Sequence, residues 1–352
     1  MDGMRTALVL GATGGIGGAV ARRLQAEGWA VRALHRDPAA VRREGDGFAW
    51  VRGDARDTAA VTAAARGAAL IVHAVNPPGY RDWDALVLPM LEASLAAAQA
   101  SGARILLPGN VYNFGPDAGP HPDEDAPQNP LTRKGTIRVA MERRLEAAAE
   151  TGVRSLIVRA GDFFGPGMTG NSWFSLFARR GRPVRSLWYP GPRGVGHQWA
   201  YLPDLAETMV RLAGREAALP AFARFHCGGH WDADGTQMAA AIARALGRPH
   251  LPVRRVPWGL ARIAAPFVPF LREVQEMLYL WREPLRLDNR RLVALLGAEP
   301  HTPLDAAVAA TLADLGCLPD GAAGPARGPM RRDDALARVT PEPLSRAGEG
   351  QG

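Results

Sequence analysis

The chain has 352 residues, a formal charge of +7, and 47% hydrophobic against 22% charged side chains. That length suits two or three compact units, and that composition buries a large core, which excludes a disulfide-stapled mini-protein and a broadly disordered chain. Apolar runs are broken by charge or proline before about 18 residues, so no membrane-spanning helix and no stable membrane insertion are expected. No basic segment, apolar stretch and cleavage site follow Met1 in series, and the expected compartment is the cytoplasm. Cys227 and Cys317 lack the spacing of a metal or redox motif and read as structural. Basic residues are spread along the chain without a motif that reads DNA or RNA, so no nucleic-acid partner is expected. Lys134 is the only lysine; every other basic residue is arginine, a group that holds its proton at any useful pH.

In chain order, short apolar runs at 6–10, 30–34, 48–52, 69–75, 103–107 and 153–158 predict strands, and segments such as 15–27 and 84–101 between them have helical spacing. This alternation predicts an α/β fold, a Rossmann-type doubly wound parallel sheet. Residues 1–165 read as the dinucleotide-binding domain, with later return segments near 197–228. Loops rich in Gly and Pro follow, with helices expected at 203–214, 235–246, 258–281, 289–296 and 303–315. They predict a smaller, mainly helical C-terminal substrate lobe over 166–318. Residues 319–352 have no apolar period and read as a flexible tail.

Gly11-Ala-Thr13-Gly14-Gly-Ile16-Gly17 follows the first strand and opens a helix. Gly11 permits the tight turn, Gly14 lets backbone approach a pyrophosphate and Gly17 lets the helix pack closely, with the phosphates on the helix N-terminus. The second strand ends in His35-Arg36, where a cation accepts the 2′-phosphate of NADP(H), favoured here over NAD(H). Asp37 precedes a proline and reads as the cap of the next helix. Asp54, after the third strand, reads either as an adenine contact or as a plain turn.

Ligands of open parallel sheets bind beyond the carboxyl ends of the strands. Ala74, Val75 and Asn76-Pro77-Pro78-Gly79-Tyr80 follow the fourth strand, Asn110-Val111-Tyr112-Asn113-Phe114 the fifth, and Asp162-Phe163-Phe164-Gly165 the sixth. Asn171, Trp173, His197, Trp199 and Tyr201 line the second lobe or its seam. Singly, each reads equally as core packing; together they describe an apolar, aromatic pocket. His226-Cys-Gly-Gly-His230 reads as a strand end and turn, so no metal is expected. Residues 258–281, with Arg262 and Arg272, have the bulk of a membrane-surface helix, but Pro266 and Pro269 break them into short helices of the substrate lobe.

Gly11/Gly14/Gly17, Gly53-Asp54-Ala-Arg-Asp57, His73-Ala74-Val75, Val111-Tyr112, Arg159 with Gly165-Pro166, and Tyr201-Leu-Pro-Asp204-Leu-Ala206 resemble an extended short-chain dehydrogenase/reductase of the nucleotide-sugar epimerase/dehydratase kind. The resemblance covers about residues 5–316. It implies a nicotinamide cofactor and a homodimer formed through helices 84–101 and 131–150. The chain departs from the family at its catalytic positions, where Pro108, Lys134 and Arg138 stand for Ser, Tyr and Lys. The helix Lys134-x-x-Ile137-Arg138-x-x-Met141-Glu142 is instead similar to that of isoflavone-reductase and NmrA-like members, in whose reductases the lysine handles the proton while NADPH delivers hydride. The expected function is therefore an NADPH-dependent reductase of a carbonyl or activated double bond on a small, fairly apolar substrate. Lys134 is the expected proton donor or relay and also a cofactor contact, with Arg138, Tyr112 and Asn110 beside it. A silent NADP(H) redox sensor and an epimerase or dehydratase with a rebuilt site are the alternatives.

Overall fold

The computed structural model describes residues 4–42, 45–77, 82–169, 172–264 and 274–318. Seven strands form one parallel sheet: β1 (Thr6–Leu10), β2 (Ala30–His35), β3 (Ala49–Arg52), β4 (Ala68–His73), β5 (Arg104–Gly109), β6 (Ser155–Arg159) and, returning much later, β10 (Phe222–His226). Their order across the sheet is β10-β6-β5-β4-β1-β2-β3. The chain winds outward from β1 in one direction to β3, then restarts at β4 on the other side. That reversal opens a crevice between the carboxyl ends of β1 and β4.

Central strands of such a sheet are covered on both faces and so read as unbroken apolar runs. Within β1, Ala7 and Val9 join the core under α1 (Gly15–Ala26) and α6 (Leu202–Ala213). Leu8 and Leu10 point the other way, into the core under α3 (Thr58–Ala64), α4 (Trp83–Ser101) and α5 (Arg133–Ala149). α2 is a single turn, Pro38–Val41; Asp37 stands at its N-cap position but makes no side-chain cap bond, and its carboxylate lies 3.9 Å from Arg52.

The second lobe carries more strand than the helical reading expected. β7 (Asp162–Phe164), β9 (His197–Tyr201) and β11 (His230–Asp232) make a three-stranded sheet, and β8 (Leu187–Tyr189) pairs with β12 (Val253–Arg255). These strands have three to five residues each, too few to carry an alternation that stands out from a loop. Around them pack α7 (Gln237–Ala245), α8 (Trp258–Ala264), α9 (Arg290–Leu296) and α10 (Leu304–Asp314). The expected helical stretch 258–281 is α8 and a 3-10 turn, Leu278–Trp281, on either side of residues 265–273, which lie outside the described residues with Pro266, Pro269 and the tail 319–352. Among the described residues no helix is long and apolar enough to cross a membrane.

A buried polar network ties α5 to the sheet. Arg159 of β6 and Glu142 of α5 are 0% and 3% exposed, with Arg159 Nε donating to Glu142 Oε1 at 3.0 Å. His226 of β10 lies with Nε2 3.0 Å from Arg159 Nη1 and Nδ1 3.2 Å from the Pro122 carbonyl, so Nδ1 carries the proton and Nε2 accepts. Glu124 closes the network by accepting the His226 N–H at 2.9 Å. The His226-to-His230 segment thus serves packing, and among the described residues no group of three or more His, Cys, Asp or Glu side chains is placed to hold a metal ion. Arg159→Met leaves a buried carboxylate without its main partner and is expected to cost about 3–5 kcal/mol in urea unfolding, most of it recovered in Arg159→Met/Glu142→Leu.

Burial, reinforced by Arg159, pushes the His226 imidazole down to about 3, and burial beside Arg138 does the same for His73. An unfolded histidine titrates near 6.5, so between those values the unfolded chain binds the proton first. Stability is full above pH ~6.5 and falls as the pH drops toward 3. Denaturation midpoints should therefore decline between pH 7 and 5, and His226→Asn should make that decline shallower.

Candidate dinucleotide and substrate cleft

The crevice predicted by the strand order is a continuous cleft of about 710 Å³, within the ~300–1,000 Å³ of small-molecule sites. Its middle is built by the loop between β1 and α1. Gly11 adopts φ +91°, and a Cβ there would fall 2.5 Å from the Ala74 carbonyl oxygen, so the loop meets the end of β4 as closely as two backbones can. Gly17 does the same from the helix, where a Cβ would sit 2.2 Å from the Gly11 carbonyl oxygen. Gly14 caps α1 with no side-chain bond, and no acidic residue occupies the first turn. Gly14, Gly15 and Ile16 line the cleft at this helix end, which offers an anion a positive dipole.

Of the residues singled out from sequence, Gly11, Thr13, Gly14, Ile16, His35, Arg36, Asp54, Ala74, Val75, Asn76, Asn110, Tyr112 and Arg138 line this one cleft. Gly17 lies behind the loop, in its packing role. Pro78, Gly79, Tyr80 and Asn171 lie outside the described residues. Trp173 and Phe163 reach the cleft, whereas Trp199 and Tyr201 are buried in the core of the second lobe.

Lys134 corrects the expectation most directly. Thr132 caps α5 by accepting the Gly135 N–H at 3.0 Å, which places Lys134 in the first turn. Its side chain is completely enclosed and does not line the cleft; Nζ lies 2.9 Å from Glu276 Oε2, while Glu276 Oε1 accepts the Lys134 backbone N–H at 3.1 Å. Burial opposes ionisation of Glu276, but these bonds hold its carboxyl below the ordinary value. The ammonium pairs with Glu276 and ties α5 to residues 274–281, enclosed behind the cleft wall.

Electrostatically the cleft has two ends. At the β2–β3 end, Arg36 and Arg56 flank Asp54, whose oxygens take Arg56 Nε at 3.0 Å and Nη2 at 2.7 Å; that pairing lowers the Asp54 carboxyl to about 2. At the far end, beyond β4, β5 and β6, the wall is aromatic and apolar: Trp83, Met90, Tyr112, Phe163 and Trp173. Asn110 Oδ1 accepts the Tyr112 N–H at 3.0 Å and so shapes the turn after β5. Arg138 reaches the Pro108 carbonyl at 3.4 Å and lies over the Trp83 ring. His73 Nδ1 bonds Ser94 Oγ at 2.8 Å, leaving a buried Nε2 acceptor with no partner in the cleft wall. Sequence reasoning missed Arg56, Trp83, Met90, Met168, Thr169, Ser172 and Leu202. Arg56 was within reach, two places after Asp54, but an arginine among so many carries little signal.

The glycine-floored loop, the helix end and the orphaned acceptor of His73 fit a dinucleotide along this cleft. No curated protein sequence matches the chain. Among solved structures, it is similar to a putative epimerase from Burkholderia cenocepacia at 20% identity, covering 89% of this chain and 98% of that one with a TM-score of 0.72. A nucleoside-diphosphate-sugar epimerase from Pseudomonas aeruginosa matches at 19% identity, 90% and 98% coverage and a TM-score of 0.69. The enzyme WbmH of Bordetella bronchiseptica, solved in complex with NAD+, matches at 18%, 89% and 99%, with a TM-score of 0.64. At these identities the likeness establishes the fold. The profile of the NAD dependent epimerase/dehydratase family, however, matches residues 7–228, the whole parallel sheet from β1 to β10, and the chain belongs to that family.

Proposed function

We propose that the protein is an NADP(H)-dependent oxidoreductase that reduces a carbonyl or activated double bond of a small, fairly apolar substrate. The observation that carries this reading is the division of the one cleft. Two arginines stand at one extreme, a phosphate-receptive helix end in the middle and an aromatic wall at the other extreme. Backbone N–H groups from Gly14 to Ile16 would take the pyrophosphate, and Arg36 with His35 and Arg56 the 2′-phosphate. Ala74, Val75 and Asn76 would run along the nicotinamide half. When bound, the reduced dinucleotide supplies hydride. The aromatic wall then excludes water and orients an apolar substrate, and Arg138 stabilises negative charge that develops on its oxygen. With Lys134 engaged by Glu276, the proton has another source.

Titration with NADPH, NADP+, NADH and NAD+ by nucleotide fluorescence tests the cofactor. Micromolar NADPH binding is expected, with Arg36→Ala weakening NADPH about 10–100-fold, the worth of a charge-assisted bond, and leaving NADH unchanged. Absence of binding by every nucleotide sinks the reading. A second reading, a nucleotide-sugar epimerase or dehydratase, is supported by the family membership. It expects a nucleotide-sugar such as UDP-glucose to bind the cofactor-loaded protein at micromolar concentration, whereas the reductase reading expects turnover on a carbonyl and enone panel instead.

A further inference from the structure

We propose that Asp162 and His197 are the proton-transferring pair of this site, with Asp162 the catalytic acid and His197 the residue that positions and recharges it; the assignment rests on the oxidoreductase reading above. Asp162 opens β7, directly after the end of β6, and lines the cleft. Asn110, which also lines the cleft, follows the end of β5, the strand paired with β6. His197 opens β9, the strand paired with β7, and its Nε2 donates to Asp162 Oδ2 at 2.7 Å. The imidazole is 6% exposed and stacked on Trp281, with ring centroids 3.6 Å apart and planes 9° from parallel, and Trp199 meets it edge-on at 5.0 Å. A buried ring clamped this way holds one plane and one hydrogen bond, as a proton-handling imidazole requires.

Elimination strengthens the assignment. Among the described residues lining the cleft the carboxylates are Asp54 and Asp162, and Asp54 is bound to Arg56 at the opposite end. Ser94 Oγ gives its own proton to the Met90 carbonyl at 3.3 Å, so His73 Nδ1 donates to Ser94 and Nε2 is left to accept. Arg138 keeps its protons at any useful pH. Beyond Thr13 in the glycine loop, the hydroxyls in this lining are Tyr112, Thr169 and Ser172, and Ser172 Oγ donates to the Phe163 carbonyl.

The substrate carbonyl carbon gains hydride from the reduced nicotinamide while the C–O π pair moves onto oxygen. That oxygen takes a proton from the Asp162 carboxyl group, which Asp162 has received from Nε2 of the His197 imidazolium. When the product leaves, the Asp162 carboxylate takes a proton from solvent in the cleft and returns it to Nε2 of the neutral imidazole left behind. The products are the alcohol, the oxidised dinucleotide and the recharged pair.

Asp162→Asn keeps the shape of the side chain and removes the acid. With a carbonyl substrate found in the panel above, kcat should fall about 10²–10⁴-fold, with KM and NADPH binding within threefold of the parent. His197→Gln should lower kcat about tenfold at unchanged KM, a split that loss of packing alone does not produce. Formate added to Asp162→Ala should restore part of the lost turnover by standing in for the missing carboxyl group. Independently of turnover, nitrogen-15 spectra of the cofactor-free protein should show an exchange-protected His197 Nε2–H that disappears in Asp162→Ala. Parent-like kcat in Asp162→Asn, or a collapse in Tyr112→Phe with Asp162→Asn still active, overturns the assignment while leaving the reductase reading intact. A parent protein that binds NADPH but reduces nothing on the panel overturns both.

Discussion

At Gly11, Gly17 and Ala74 three stretches of backbone converge with no room between them for a methyl group. This contact draws the first turn of α1 against the carboxyl end of β4, across the point where the strand order reverses. Any side chain at Gly11 or Gly17 would push the helix outward, and the crevice would lose both its floor and the positive helix end that lines it. The position of every other cleft residue is set relative to that contact, because β2, β3 and β5 are hydrogen-bonded outward from β1 and β4 in fixed register.

The other half of the cleft is held by buried charge. Arg159 and Glu142 lock α5 to β6, and Lys134 with Glu276 locks the start of the same helix to residues 274–281. Buried ion pairs add little net stability compared with well-packed apolar groups, yet they are costly to break and so specify one arrangement. Glu276 lies five residues before Trp281, and Trp281 is the surface on which the His197 ring lies. Lys134 is thus part of the scaffold beside the cleft.

These placements give the cleft a polarity of function. Arginines flank one end, aromatic side chains line the other, and the carboxylate of Asp162 stands in the wall of the second. An acidic group there adds negative charge to a wall that is otherwise aromatic and apolar.

Local pattern carried much of this. The glycine spacing, the alternating strands and helices and the basic tip of the second strand are each written within a few dozen residues, because strand period, helix period and backbone sterics act locally. Of the site residues picked from that pattern, most line one cleft, since strand ends in a parallel sheet must converge at its carboxyl edge. What the pattern could not carry were pairings between distant segments. Whether Lys134 faced a ligand depended on Glu276, 142 positions away, and the partnership of Asp162 with His197 depended on two short strands meeting 35 positions apart. The sequence by itself determined the sheet, the phosphate loop and the chemical types at the strand ends. Only the tertiary structure decided which of those groups is neutralised by a partner and which stands open in the cleft, because a buried charge takes whatever counter-charge the packing brings within hydrogen-bonding reach.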